Sequence, residues 1–328
     1  MAIENSNRII FRETPINDEY RYTDYYKILE LTSAPDEIVL ADTLGGFDPV
    51  LQNRYLAHLN SITDQTCTVW LNQITPDQVQ QHYPKLDFCM DFPLWLWNPL
   101  STYNMHPEVA FKNFVCSFNG AEHVSRKLLV AILERFGYFD PDYSTKNFVY
   151  DNDAINGHVR DFVGEQENFY GKFFQHTAEF GQQIHTINYS RFDHNSNIHA
   201  LEQRLTQSFV NIISESLATS YMPFVSEKFL YSVVTRGLFV AYAQPGWHEQ
   251  LENCYGFRKY DKIFDYAFDQ VSNPIKRLLD LVTMLSKFSC LSTADWHDLY
   301  LIELDTIEHN YDHYFSGRYL EQLKRLHD

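Results

Sequence analysis

The chain lacks any apolar run long enough to cross a membrane as a helix. Its most apolar stretch, residues 237–243 (GLFVAYA), falls far short of the roughly 20 residues a spanning helix needs. The opening residues, MAIENSNRIIFRE, have neither the basic start nor the apolar core of a signal peptide. Cysteine is scarce: Cys67, Cys89, Cys116, Cys254 and Cys290 are odd in number, widely spaced and without a CxxC pair. That excludes a disulfide framework and a zinc ribbon, and it points to free thiols in a reducing cytoplasm. Positive charge is also short, with 26 Lys and Arg against 43 Asp and Glu and a net charge of −17. A duplex nucleic acid needs a basic footprint, so no nucleic-acid partner is expected. A small anion needs only one local cluster of donors. There is no Walker motif, no GxGxxG, no nucleophile elbow and no HExxH, and no repeat or low-complexity tract.

What the chain does have is material for a large core, with 45% hydrophobic and 16% aromatic residues. Its 328 residues suggest two domains, at about 150 residues each. In the first third, short apolar runs at 8–11 (RIIF), 37–40 (EIVL), 66–71 (TCTVWL) and 86–90 (LDFCM) read as strands. Continuous apolar runs suit parallel strands covered on both faces. Helical patterns at 49–59 and 76–83 separate them, the second with Pro76 after a capping Thr75. The turn-rich stretch 97–108 (WNPLSTYNMHPE) reads as a linker, which divides the chain into 1–105 and 106–328.

The second half opens with a strand at 111–118 (FKNFVCSF), the turn Asn119-Gly120 and a helix at about 122–136. Residues 139–200 carry weak periodicity and read as loops and short helices. A strand at 209–213 (FVNII), a helix at 227–235, a strand at 238–243 (LFVAYA), the turn Pro245-Gly246 and a helix at 247–254 follow. Helical blocks at 273–288 and 296–326, the latter interrupted, close the chain. The expected fold class is α/β, with two Rossmann-like domains, a helical C-terminal end and a ligand in the cleft between them.

The chemistry concentrates in residues 208–269. A strand delivers Ser214, Glu215 and Ser216 at its C-terminal end. Ser226 then stands at the N-cap of a helix that opens Glu227-Lys228, beside free N–H groups. A lysine in the first helical turn opposes the helix dipole, a cost that a bound anion would offset. These features resemble the donor-binding domain of fucosyltransferase-like glycosyltransferases of GT-B architecture. The resemblance lies in Ser226-Glu227-Lys228, in the upstream NIISES strand ending at Glu215, and in LFVAYAQPGWHEQLENCYGF with its Pro-Gly and Gly-Phe. It extends to the acidic and aromatic stretch holding Asp261, Asp265, Tyr266 and Asp269. It also reaches FKNFVCSFNGAEHVSR at 111–126, where Asn119 and Arg126 are the matching polar positions. The sequence departs from that pattern in FLYSVVTRG, directly after the triplet.

The resemblance implies a metal-independent glycosyltransferase that moves a sugar from a nucleotide-sugar donor to a glycan hydroxyl. A GDP-sugar such as GDP-fucose is favoured, and a UDP-sugar is the alternative. Lys228, helped by Arg126 and Arg236, would neutralise the diphosphate. Glu215 would accept from a ribose or sugar hydroxyl, and Glu227 would do the same or hold Lys228. The first domain would bind the acceptor and supply a carboxylate base. Asp42 and Asp91, just past apolar runs, and Asp48 are three alternatives that the sequence does not separate.

Ordinary readings stand beside these. Glu227-Lys228 also suits a solvated helix start, and Arg236-Gly237 a helix stop. The aromatic run 88–97 (FCMDFPLWLW) suits a packed core or a sugar platform. His309 and His313, four apart, and His194 and His199 admit a metal-dependent hydrolase as an alternative, although none has a recognised ligand spacing. A non-catalytic glycan-binding or assembly protein on the same fold is the other.

Overall fold

The computed structural model describes residues 8–12, 14–16, 19–21, 28–41, 49–71, 77–90, 109–120, 124–148, 184–185, 194–215, 218 and 225–321. They form a mixed α/β structure built on open parallel sheets.

The first sheet holds β1 (Arg8–Arg12), β4 (Glu37–Ala41), β5 (Cys67–Leu71) and β6 (Leu86–Met90), all parallel and in that order. A small antiparallel hairpin, β2 (Thr14–Ile16) with β3 (Glu19–Arg21), lies between β1 and β4 in the chain. Helices α1 (Pro49–Ile62) and α2 (Asp77–His82) make the next two crossovers. A continuous register needs an apolar strip, and β5 supplies it: Cys67 and Val69 are buried while Thr68 between them is half-buried. They pack with Ile38, Leu86 and the α1 residues Tyr55, Leu56 and Leu59.

The second sheet is built around β10 (Ser208–Ser214), whose seven residues are all buried. It pairs in parallel with β7 (Asn113–Cys116) on one side and with β11 (Phe239–Tyr242) on the other. Past Ser117 the β7 chain continues as β8 (Phe118–Asn119), which pairs in parallel with β9 (Thr145–Lys146). The spatial order is therefore β9, β7/β8, β10, β11. From β8 the chain steps outward to β9, then returns across to β10. Helices α3 (Val124–Arg135), α4 (His194–Gln207) and α5 (Lys228–Val234) all pack against β10, and α4 and α5 touch each other.

The helical end comprises α6 (Trp247–Tyr255), a 3-10 turn over Tyr266–Gln270, α7 (Pro274–Ser286), α8 (Thr293–Ile302) and α9 (Leu304–Phe315). Local chemistry sets their ends. Asn273 accepts from the amides of Ile275 and Lys276 ahead of Pro274, and Ser292 with Asp295 forms a capping box. Gly256, at φ 78°, closes α6 in the left-handed conformation that only glycine adopts at little cost.

Two sequence expectations need correction. The stretch read as loops and short helices ends in α4, whose buried residues Asn197, Ile198, Leu201 and Leu205 form one stripe facing the sheet. The expected strand 111–118 breaks at Ser117, whose hydroxyl donates to the Ile212 carbonyl and whose amide donates to the Ser144 hydroxyl. The interruption expected in the closing helical block falls at Glu303, which turns inward to accept from the Lys262 amide at 2.7 Å. The expected 97–108 linker, and with it the 105/106 boundary, lies outside the described residues, as does the 91–97 part of the aromatic run.

At the N-terminal end of β10, Phe209 is fully buried. Its ring centroid lies 5.7 Å from Phe111, 5.9 Å from Phe288 and 5.7 Å from Trp296, the last stacked. Phe209→Ala is expected to lower unfolding free energy by about 3–5 kcal/mol, through lost transfer energy and the cavity left behind, as read by urea denaturation.

His309 and His313 stack 5.5 Å apart on α9 and bond the Gly256 and Tyr255 carbonyls at 3.2 and 2.7 Å. Burial first, then the nearby Arg258 and Arg318, and for His313 also His309, hold both below the ordinary value of 6.5. The unfolded chain therefore binds more protons than the folded one near pH 6, and stability falls as pH drops through about 6.5. Unfolding curves between pH 5.5 and 7.5 should show this slope, and a His309→Gln/His313→Gln double variant should flatten it.

Candidate functional site

The strand order reverses between β8 and β10, so their C-terminal ends diverge from a common crevice. In open parallel sheets this is where ligands bind. The residues gathered there are Asn119 at the end of β8, Ser125 and Arg126 in the first turn of α3, Ser214 and Glu215 at the end of β10, and Ser226 and Lys228 at the start of α5. Five of these came from the sequence reading as ligand residues: Asn119, Arg126, Glu215, Ser226 and Lys228.

Glu215 is the centre of the cluster and is fully buried. Its amide donates to the Tyr242 carbonyl at 3.1 Å, and its own carbonyl accepts from the Ser125 hydroxyl at 3.1 Å. Its Oε1 accepts from both the amide and the hydroxyl of Ser226, each at 2.9 Å. Its Oε2 has no hydrogen bond and lies 3.7 Å from Lys228 Nζ. Lys228 Nζ donates to the Ser214 carbonyl at 2.9 Å and keeps 16% of its side chain exposed. It is therefore the member of the pair that still reaches solvent.

The charges are in tension. Burial raises the Glu215 carboxyl above its ordinary value, against the pull of Lys228 and the two Ser226 bonds. Burial lowers the Lys228 ammonium to about 8, and the Arg126 guanidinium pushes the same way; Glu215 and Glu227 oppose both. Lys228 and Arg126 thus share a poorly solvated space with the Glu215 and Glu227 carboxylates, so charges of both signs are held close together there.

Other expected residues are placed differently. Asn119 is fully buried and committed to protein partners: its amide group donates to the Ser117 hydroxyl at 3.1 Å and the Thr145 carbonyl at 3.2 Å. Its carbonyl oxygen accepts from Ser214 at 2.8 Å. Ser226 was expected as the N-cap of α5, but Glu227 holds that position, in helical conformation and without a side-chain cap. The Ser226 hydroxyl is drawn to Glu215 instead and stands 3.5 Å from the Lys228 amide. Arg236 is not part of the cluster. It follows the opposite end of α5 at φ 55°, grips Glu308 at 2.8 and 3.3 Å, and stacks 3.6 Å over the Tyr311 ring. Asp42, Asp48 and Asp91 lie outside the described residues.

The acidic stretch 261–269 is structural where its bonds are seen. Asp265 caps the 3-10 turn, accepting from Ala267 at 3.0 Å. Asp269 is buried and bonds His248 Nδ1 at 2.7 Å and the His248 amide at 3.1 Å. His248 Nε2 accepts from the Ala241 amide at 2.9 Å, so the imidazole proton sits on Nδ1. Sequence reasoning missed this pair, whose signal was the WHEQ segment after Pro-Gly. It also missed Ser125 and the buried Arg277. A groove of about 440 Å³ is lined by residues of the 259–266 loop, among them Lys259, Lys262, Asp261 and Asp265, and shares no residue with the cluster.

Among the described residues, no three His, Cys, Asp or Glu side chains converge as a metal-binding group. His309 and His313 bond carbonyls, and His199 is exposed on α4. Among the described residues, no helix is long and apolar enough to cross a membrane. No protein-family model matches the chain, and comparison with curated proteins returns no match.

Lys228→Met leaves the Glu215 carboxylate buried without its ammonium partner. The expected loss is about 3–5 kcal/mol at pH 8, the usual result of breaking a buried pair from one side. Because Glu215 titrates above its unfolded value, protonation in the folded state should shrink that loss toward pH 5. Urea unfolding at the two pH values measures it, and adding Glu215→Gln should restore stability at pH 8.

Proposed function

We propose that the chain is a glycosyltransferase of GT-B type that takes a nucleotide-sugar donor, a GDP-sugar by preference, and transfers its sugar to a glycan hydroxyl. In this reading residues 1–105 and 106–328 are two Rossmann-like domains, with the acceptor in the first and the donor in the second. The observation that carries the proposal is the meeting of Lys228, Arg126 and Glu215 at the reversal of strand order. A diphosphate leaving group needs cations that are already in place, and this site holds two in a poorly solvated setting. Glu215 Oε2, an acceptor with no hydrogen bond, suits a hydroxyl of the ribose or the sugar. The motif order Ser226-Glu227-Lys228, Pro245-Gly246, Gly256-Phe257 supports the same family resemblance. The acceptor base in this scheme comes from Asp42, Asp48 or Asp91.

A non-catalytic binding protein on the same fold is the second reading. It is favoured by Asn119 and Ser226, whose side-chain groups are spent on internal bonds.

The test is thermal unfolding with GDP, UDP and their sugars, with and without EDTA. At 100 times the dissociation constant a true ligand adds about 2.7 kcal/mol of stability. The expected result is stabilisation by a nucleoside diphosphate that survives EDTA and donor hydrolysis or transfer in the presence of a glycan. A Glu215→Gln/Lys228→Gln double variant, which keeps the buried pair neutral, should lose at least tenfold in affinity. Stabilisation by glycans alone moves the assignment to the second reading, and no response to any nucleotide overturns the first.

A further inference from the structure

Arg277 lies on α7, outside the cluster, and its side chain is fully buried. Nε donates to the Ala243 carbonyl at 2.9 Å. Nη1 donates to the carbonyls of Val271 and Ser272, the latter at 3.2 Å, and Nη2 donates to the carbonyl of Ala218. These acceptors belong to three segments: the chain leaving β10, the chain leaving β11, and the turn that enters α7.

All four acceptors are neutral. Burial weighs against the guanidinium charge, which Tyr242 and Asp269 support electrostatically. Packing alone would be served as well by an apolar side chain of similar volume, without the desolvation cost. An apolar side chain cannot hold a carbonyl from each of three segments in a fixed fork, as a guanidinium can.

The position of two of those carbonyls matters. Ala218 is buried and follows Glu215 by three residues. Ala243 directly follows Tyr242, whose carbonyl accepts from the Glu215 amide. Arg277 therefore grips the backbone on both sides of Glu215.

We infer that Arg277 is a positioning residue for the switch-point site, fixing Glu215, and through it Ser226 and Lys228, by clamping the chain leaving β10 to the chain leaving β11. The inference rests on the reading of that cluster as the ligand site.

The experiment uses the full chain carrying Arg277→Lys or Arg277→Met. Three quantities are read: urea stability, the titration of the Lys228 ammonium followed by NMR without ligand, and GDP affinity. The expected result is a Lys228 titration moved toward its ordinary value, with at least a tenfold loss of GDP affinity. Arg277→Lys should be the milder of the two. If stability falls while the Lys228 titration and GDP affinity stay unchanged, Arg277 is only structural and the inference is overturned. If wild-type protein does not bind GDP but the variants still move the Lys228 titration, positioning stands and the nucleotide reading fails.

Should both variants fail to fold, native-state hydrogen exchange of the unaltered protein decides. The amides of Glu215, Ser226 and Arg277 should open as one unit, with the same free energy and denaturant dependence. Independent, lower-energy opening of Glu215 and Ser226 overturns the inference.

Discussion

Strand β10 is buried along its whole length, so every polar atom it carries must find a partner inside the protein. That requirement organises the second half of the molecule. Ser208 takes a bond from Asn113 at 3.1 Å, and Asn211 meets Ser232 on α5 and Cys116 on β7. Ser214 reaches Asn119, and Glu215 draws in Ser226 and Lys228. Each bond fixes a neighbouring element against the strand. The two ends differ in chemistry: the N-terminal end is an aromatic cluster around Phe209, and the C-terminal end is a set of charges. The strand is thus held by apolar packing at one end and by buried charge pairing at the other.

Glu215 explains why the charged end holds together. A buried carboxylate is costly alone, and it is tolerated here because Oε1 takes two bonds and Lys228 lies beside Oε2. Arg126 adds a second cation that disfavours the first, and Glu227 joins Glu215 in opposing it. Charges of both signs thus meet at this end of the strand, in a chain whose net charge is −17.

Much of the fold was legible because burial on both faces leaves continuous apolar runs. EIVL, TCTVWL, LDFCM and FVNII all become parallel strands within a residue or two of their expected ends. The helices expected at 247–254 and 273–288 likewise appear as α6 and α7 within a residue or two of their expected ends. The order of the strands was not. It depends on β9, whose two residues Thr145-Lys146 carry no apolar period. Without β9 there is no reversal, and the crevice that collects the site has no sequence signature. Helix α4 was hidden by its polar surface, since only the stripe at Asn197, Ile198, Leu201 and Leu205 reports its buried face. Arg277 looked like any basic residue on a helix, because its acceptors are backbone carbonyls contributed by distant segments.

Arg236 shows where motif reasoning overreaches. It stands eight positions after Lys228, close enough in sequence to be counted with it. Helix α5 separates them, and seven residues at about 1.5 Å each put its two ends some 10 Å apart, on opposite edges of the sheet. Arg126 lies a hundred residues from Lys228 in the chain yet shares its electrostatic field. In a parallel sheet every strand delivers its last residue to the same edge and every helix carries the chain away from it. A cation therefore joins the site by its phase in this alternation rather than by its nearness in sequence. By that rule the cations at the edge of the candidate site are those that follow a strand or open a helix, as Arg126 and Lys228 do. A residue that closes a helix, like Arg236, serves the opposite edge, and there it finds Glu308 and Tyr311.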